Sequence, residues 1–253
     1  MLKKERLIAI LEQVNQRGIV TVNDLITILN VSDMTIRRDL DELAKDGKII
    51  RIHGGAQSIN APTLTELSHI EKKKIHSVQK EAIAKQAASL IQENSTIYLG
   101  PGTTIELIAQ YVHRTEGLRI VTNSLPVFKT WKNKDIELIL IGGNYRKKSG
   151  AFIGSLTVDM LKQLKFNQAF VGINALRDQH LMTANPEEGL AQTIVLENSR
   201  KRIILADKFK IEQDDFYEFY NLTDIDMFVT NEIEDIEILE KYQKYTHVIE
   251  AKN

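Results

Sequence analysis

Two stretches carry residue types at spacings that could do chemistry. In Val31-Ser-Asp-Met-Thr-Ile-Arg-Arg-Asp-Leu-Asp-Glu-Leu43, residues Ile36, Leu40 and Leu43 fall at i, i+4 and i+7, an apolar helix face that must be buried. Thr35, Arg37 and Arg38 stand on the other side near the helix start, where guanidinium groups can meet phosphates and base edges. Ser32 can cap this helix with its hydroxyl, and Asp33 puts negative charge near the positive end of the dipole. The second stretch, Leu99-Gly-Pro-Gly-Thr-Thr104, leaves an apolar run and enters an amphipathic one. Glycines there allow close backbone approach, and free amides at a helix start attract an anion. Thr103 and Thr104 can add hydroxyl hydrogen bonds. Each stretch also has a plainer reading. Helix-turn-helix spacing serves ordinary packing, paired arginines often form a solvated face, and Gly-rich turns often only make a corner. The loop is neither a P-loop, lacking Gly-Lys-Ser/Thr, nor a dinucleotide fingerprint, lacking the third glycine.

The elements around the first stretch position it as a winged helix-turn-helix. Leu7, Ile8, Leu11 and Val14 predict a first helix over residues 3–16, ended by Gly18. Thr21 precedes a second amphipathic run, Val22–Leu29, and Asn30-Val31-Ser32 makes the turn. Gly47 is placed as a left-handed stop. Lys48-Ile-Ile-Arg-Ile-His53 then alternates as a strand with Gly54-Gly55 turning it, a hairpin wing that offers Lys48, Arg51 and His53 to a sugar-phosphate backbone. Charge does not decide the matter, since residues 1–58 hold nine Lys and Arg against eight Asp and Glu.

The run Ser32-Asp-Met-Thr-Ile-Arg-Arg-Asp-Leu40, followed by Arg51-Ile-His-Gly-Gly-Ala56, closely resembles the signature of DeoR-family bacterial repressors. Ala44 departs from it, since many members carry Glu there. The resemblance implies a DeoR-type DNA-binding domain over residues 3–58, with the helix-turn-helix at about 20–39. The expected DNA contacts are Thr21, Ser32, Met34, Thr35, Arg37, Arg38, Arg51, His53 and Gly54.

Small and turn-forming residues near Ser58-Ile-Asn-Ala-Pro-Thr63 mark a boundary, so residues 59–75 are expected as linker and 76–253 as a second domain. Residues 65–92 are expected to run helical, with Lys72-Lys73-Lys74 either a phosphate-contacting patch close to the DNA or a solvated face. Beyond residue 94, short apolar runs alternate with amphipathic ones. The strands expected are Thr96–Leu99, Arg119–Thr122, Ile136–Ile141, Gln168–Gly172, Arg202–Ala206, Met227–Val229 and Val248–Glu250. Helices are expected at Thr104–Val112, Leu156–Leu164 and Ala191–Asn198. Such alternation predicts an α/β fold, a mainly parallel sheet covered on both faces, with ligands gathering at the carboxyl ends of the strands.

Several strand ends carry polar residues. The candidate effector contacts are Gly100, Gly102, Thr103, Thr104, Asn123, Ser124, Gly142, Gly143, Arg146, Lys147, Glu188, Asp207 and Lys208. Taken together they form an anion-plus-polyol constellation, the chemistry of a phosphorylated sugar. This half resembles the DeoR sensing domain, which is related in fold to ribose-5-phosphate isomerase and glucosamine-6-phosphate deaminase. Gly100-Pro-Gly-Thr-Thr104 departs from the usual Asp-x-Gly-Thr-Thr and matches the lactose branch of the family. Ser32-Asp-Met34, Ala87-Ala88-Ser-Leu-Ile91 and Thr122-Asn123 match it too, whereas Thr183-Ala-Asn-Pro-Glu-Glu-Gly189 matches more loosely. That branch implies tagatose 6-phosphate as effector and control of lactose or galactose catabolism.

The opposing class is an isomerase or deaminase, in which Glu188 or Asp207 would move a proton beside a carbonyl. A fused DNA reader is idle on such an enzyme, and fold does not dictate function. An activator would use the same parts as a repressor. Composition is that of an ordinary globular protein, 43% hydrophobic and 26% charged with net charge −1, so attraction to nucleic acid must be local. The absence of cysteine removes disulfide and thiolate chemistry, and no metal or cofactor is expected. No apolar run approaches a membrane span and no signal peptide is evident, so a cytoplasmic homodimer or homotetramer on operator DNA is expected.

Overall fold

Helical periodicity in residues 7–14 folds as α1 (Lys3–Arg17), whose apolar stripe buries Ile10 and Val14. The computed structural model describes residues 3–17, 19–52, 55–58 and 66–252, in two compact units, Met1–Glu66 and Leu67–Asn253. Expectations placed on Gly18, His53, Gly54 and residues 59–65, and on the side chain of Thr21, lie outside what is described.

In the first unit α1 is followed by β1 (Ile19–Thr21), α2 (Val22–Leu29), α3 (Asp33–Lys45), β2 (Ile49–Ile52) and β3 (Gly55–Ser58). The strands form an antiparallel sheet in the order β1-β3-β2, so Thr21 ends a strand that three residues are too few to reveal by alternation. Val14, Val20, Leu25, Ile36, Leu40, Leu43, Ile49 and Ala56 share one core. Gly47 ends α3 at φ +67°, a backbone that favours glycine. Its amide donates to the Ala44 carbonyl at 2.9 Å, and the Lys48 amide donates to Leu43 at 2.9 Å, the paired bonds of a helix stop.

The second unit opens with α4 (His69–Lys74) and α5 (Ser77–Ser89). The single helix expected over 65–92 is thus two, because His76 takes a left-handed backbone at φ 54° between them. Residues 69–74, expected in a linker, form a helix within the second unit. The chain continues through β4 (Thr96–Leu99), α6 (Thr103–Ile108), β5 (Arg119–Thr122), α7 (Leu125–Trp131) and β6 (Glu137–Leu140). Next come β7 (Asn144–Arg146), β8 (Ala151–Ile153), α8 (Ser155–Lys162), β9 (Phe166–Gly172), β10 (Ala175–Arg177) and β11 (His180–Thr183). It closes with α9 (Pro186–Glu197), β12 (Ser199–Leu205), β13 (Tyr217–Asn221), β14 (Met227–Asn231), α10 (Ile236–Gln243) and β15 (His247–Ala251).

The seven expected strands form one sheet in the order β15-β14-β12-β9-β4-β5-β6, with every pairing parallel. Alternation sends Ile97 and Leu99 into one core with Ile83, Ala87 and Trp131. Tyr98, between them, points to the other face with Val171, Leu161 and Val195. Both faces are therefore covered, as parallel sheets require. From β4 the chain builds outward through β5 and β6, then returns at β9 and builds the other way. The boundary between β4 and β9 is the point where strand order reverses, the usual place for a crevice.

Candidate functional site

In the first unit α3 presents two unlike faces. Ile36, Asp39, Leu40 and Leu43 are buried, whereas Met34, Arg37 and Arg38 are exposed. Ser32 caps the start: its Oγ accepts from the Thr35 amide at 3.4 Å and shares a hydroxyl bond with Thr35 at 2.8 Å. Arg37 lies 2.6 Å from Asp33 one turn earlier, so its charge is already partnered. Among the described residues no carboxylate pairs with Arg38, which leaves it the available guanidinium on this face. Asp39, 2% exposed, accepts two hydrogen bonds from Arg6 of α1, at 2.5 and 3.2 Å, and so locks α3 to α1. Arg51, expected on a DNA backbone, donates to Asp41 at 2.8 Å and to the Gly55 carbonyl, fastening the wing to α3. Lys48 is exposed beside Asp46 at 3.6 Å.

In the second unit the carboxyl ends of β4 and β9 open into a cleft of about 590 Å³, the solvent at its open mouth included. Backbone proximity makes it. The Gly100 amide donates to the Phe170 carbonyl at 2.9 Å, and a Cβ at Gly100 would lie 3.3 Å from that oxygen. Gly102 starts α6 at φ 149° with no side chain capping it, so the first amides of α6 are left for a ligand beside the hydroxyls of Thr103 and Thr104.

Of the expected effector residues, Gly102, Thr103, Thr104 and Glu188 line this cleft. Arg146, which does not line the cleft, donates to the Glu188 carboxylate at 3.2 Å. Others serve the scaffold. Asn123 accepts from the Tyr98 hydroxyl at 2.6 Å and donates to the Phe152 carbonyl at 2.8 Å. Ser124 caps α7 through the Val127 amide. The Gly142 carbonyl accepts from Thr157 at 2.8 Å, and a Cβ at Gly143 would sit 2.1 Å from the Thr157 hydroxyl. Lys147 is exposed and Lys208 pairs outward with Glu234, neither lining the cleft. Asp207 is 1% exposed; its Oδ1 accepts from the Phe209 amide, and its Oδ2 has no hydrogen-bond partner among the described residues.

Sequence reasoning missed His69, Lys72, Asn174, Gln192 and Lys210, all of which line the cleft. Burial lowers the Lys210 ammonium to about 8, with Lys72 and Lys80 adding to the depression and Asp207 opposing it. Burial also lowers Lys80, which Asp207 and Glu106 partly restore. Crowded, desolvated cations of this kind are relieved by an incoming anion. Gln192 Oε1 and Ser149 Oγ are buried at the cleft without a hydrogen-bond partner among the described residues, the state expected of groups that await a polar ligand. Ammonium groups, free amides and hydroxyls suit a phosphate, while Glu188, Gln192 and Asn174 suit sugar hydroxyls.

A winged helix followed by a parallel-sheet unit with an anion-and-polyol cleft at its switch point defines a ligand-responsive transcription regulator. Residues 6–61 match the DeoR-like helix-turn-helix domain and residues 75–232 the DeoR C-terminal sensor domain, so the chain belongs to the DeoR family. It is similar to the lactose phosphotransferase system repressor of Lactococcus lactis subsp. lactis, 40% identical over 99% of this chain and 100% of that protein. The repressor of the same description from Streptococcus mutans serotype c is 39% identical over 98% of this chain and 100% of its own length. Among solved structures, ribose 5-phosphate isomerase A from Neisseria gonorrhoeae overlaps 52% of each chain at 17% identity with a TM-score of 0.39. The chain is a DNA-binding repressor of the sugar-operon type rather than an enzyme.

Proposed function

We propose that the chain represses a lactose or galactose operon and is released from its operator by a sugar phosphate, with tagatose 6-phosphate the first candidate. The observation that carries the sugar-phosphate part is the cleft itself, where Thr103, Thr104, Lys72 and Lys210 converge with Glu188 and Gln192. Similarity to the lactose phosphotransferase system repressors supports the choice of operon. On the DNA side, α3 enters the major groove and Met34, Thr35 and Arg38 face the bases. One such helix reads too few base pairs for selective binding, so a homodimer or homotetramer on repeated half-sites follows. The setting is the cytoplasm, where operator DNA lies, and no described helix is long and apolar enough to cross a membrane. Release is ordinary linkage: a ligand that favours the arrangement with weak DNA affinity lowers operator occupancy by its differential affinity.

A thermal-shift comparison tests the effector. Tagatose 6-phosphate and fructose 1-phosphate are assayed beside their unphosphorylated sugars. At a hundredfold excess over Kd, a true ligand adds about 2.7 kcal/mol of stability. A rise with one phosphate and none with the free sugars is the expected result. Equal responses to free and phosphorylated sugars, or none at all, refute the sugar-phosphate reading.

A further inference from the structure

Helix α4 is six residues long, too short to persist on backbone hydrogen bonds alone, and none of its side chains is buried. Its amphipathicity is inverted. Ile70 is 69% exposed, while the polar His69 and Lys72 line the cleft. Apolar burial therefore does not seat this helix.

Charge and hydrogen bonds seat it instead. The His69 ring bonds the Glu106 carboxylate, and the Lys73 ammonium lies 3.5 Å from the same group. Glu106 is buried on α6, the helix whose first turn carries Thr103 and Thr104. The His69 amide donates to the Lys148 carbonyl at 2.8 Å. Lys72 donates to Asn174 Oδ1 at 3.0 Å beside the cleft. At the far end the buried Lys80 ammonium donates to the carbonyls of Lys72 and, at 2.8 Å, Ile75. A Ser68–Glu71 capping box closes the near end. Two of these tethers, at His69 and Lys72, are cleft residues, and α4 begins two residues after Leu67, the first residue of its unit.

We propose that α4 is a polar strap whose seating is set by the anion in the cleft, and that the strap passes occupancy along the chain to the winged helix. The proposal rests on the effector reading of the cleft. The Lys72 bond to Asn174 has an ionised donor but a neutral acceptor, and a phosphate in its place adds the attraction between two full opposite charges. The bound ligand thus interacts differently with two seatings of α4, which is what any ligand-driven shift requires. With none of its side chains buried, the helix can move without opening a core.

The test is Glu106→Gln in the full chain, since Glu106 holds the strap without lining the cleft. Hydrogen–deuterium exchange across residues 67–76 should accelerate by about tenfold. Tagatose 6-phosphate should still bind within about threefold of wild type, yet its effect on operator affinity should shrink to less than about threefold, against a coupling of about 5- to 150-fold in intact systems. Faster exchange with a wild-type operator response overturns the strap. If wild type binds no sugar phosphate, the effector reading falls and operator affinity without ligand decides the strap. A change of about tenfold in Glu106→Gln then supports it, and unchanged affinity overturns it. Ser68→Ala combined with Glu71→Ala removes the exposed capping box and answers the same question should Glu106→Gln fail to fold. Unchanged exchange in both variants overturns the proposal.

Discussion

Lys210 makes effector binding depend on pH in a direction the structure sets. Its folded ammonium titrates near 8, lowered first by burial and then by Lys72 and Lys80, with Asp207 opposing. Below that value the group is charged and can receive a phosphate; above it the charge, and its share of affinity, is lost. About nine-tenths of the population is charged at pH 7 and about one-tenth at pH 9. A sugar phosphate with a second pKa of about 6 stays dianionic across this range, so the ligand adds no slope of its own. Binding of the dianion restores Lys210 to the charged form, and the apparent Kd should rise about tenfold between pH 7 and pH 9, or about 1.4 kcal/mol. Isothermal titration of tagatose 6-phosphate at pH 7, 8 and 9 and constant ionic strength measures it. Lys210→Met should bind more weakly at pH 7 and show a flat profile. A flat wild-type profile, or an undiminished slope in Lys210→Met, refutes the reasoning.

On the DNA side, Arg38→Ala should cost about 1–3 kcal/mol per half-site in operator anisotropy titrations. Arg37→Ala should cost less, because Arg37 must first leave Asp33, and equal losses would contradict that ordering. Asp39→Ala leaves Arg6 without its buried partner and should destabilise the first unit by about 3 kcal/mol in urea titrations followed by circular dichroism. Effector binding should persist in that variant, and a stability loss below about 1 kcal/mol would show the pair to be solvated instead.

The main sheet was legible because its inner strands are buried on both faces and its edge strands still read as apolar runs, so all seven expected strands are present. Shorter strands gave no such signal: β1, β7 and β10 span three residues each, and β7 is largely exposed. α7 was hidden by Pro126 at its start, a residue that reads as a turn yet is tolerated in a first helical turn. In the cleft, Gly102, Thr103 and Thr104 were readable because a glycine-rich strand-to-helix turn has local meaning. Asn123 and Ser124 look like ligand contacts for the same reason, but their polar atoms are satisfied inside the fold. Lys210 and Lys72 stand in ordinary charged runs, and only the fold brings them to one cavity. Asp39 hides within the Arg-Arg-Asp motif, its partner Arg6 lying 33 positions away.

The separate cores impose an order in time. The first unit completes its core by Ala56, whereas the large sheet lacks its last strand until β15 ends at Ala251. At about 5–20 residues per second, synthesis of the remaining stretch takes roughly ten to forty seconds. During each round of translation the nascent chain therefore carries a finished DNA reader before its regulator exists. Until copies pair, that lone reader covers too few base pairs to repress selectively, so the interval leaves it on DNA only as a weak, unselective binder.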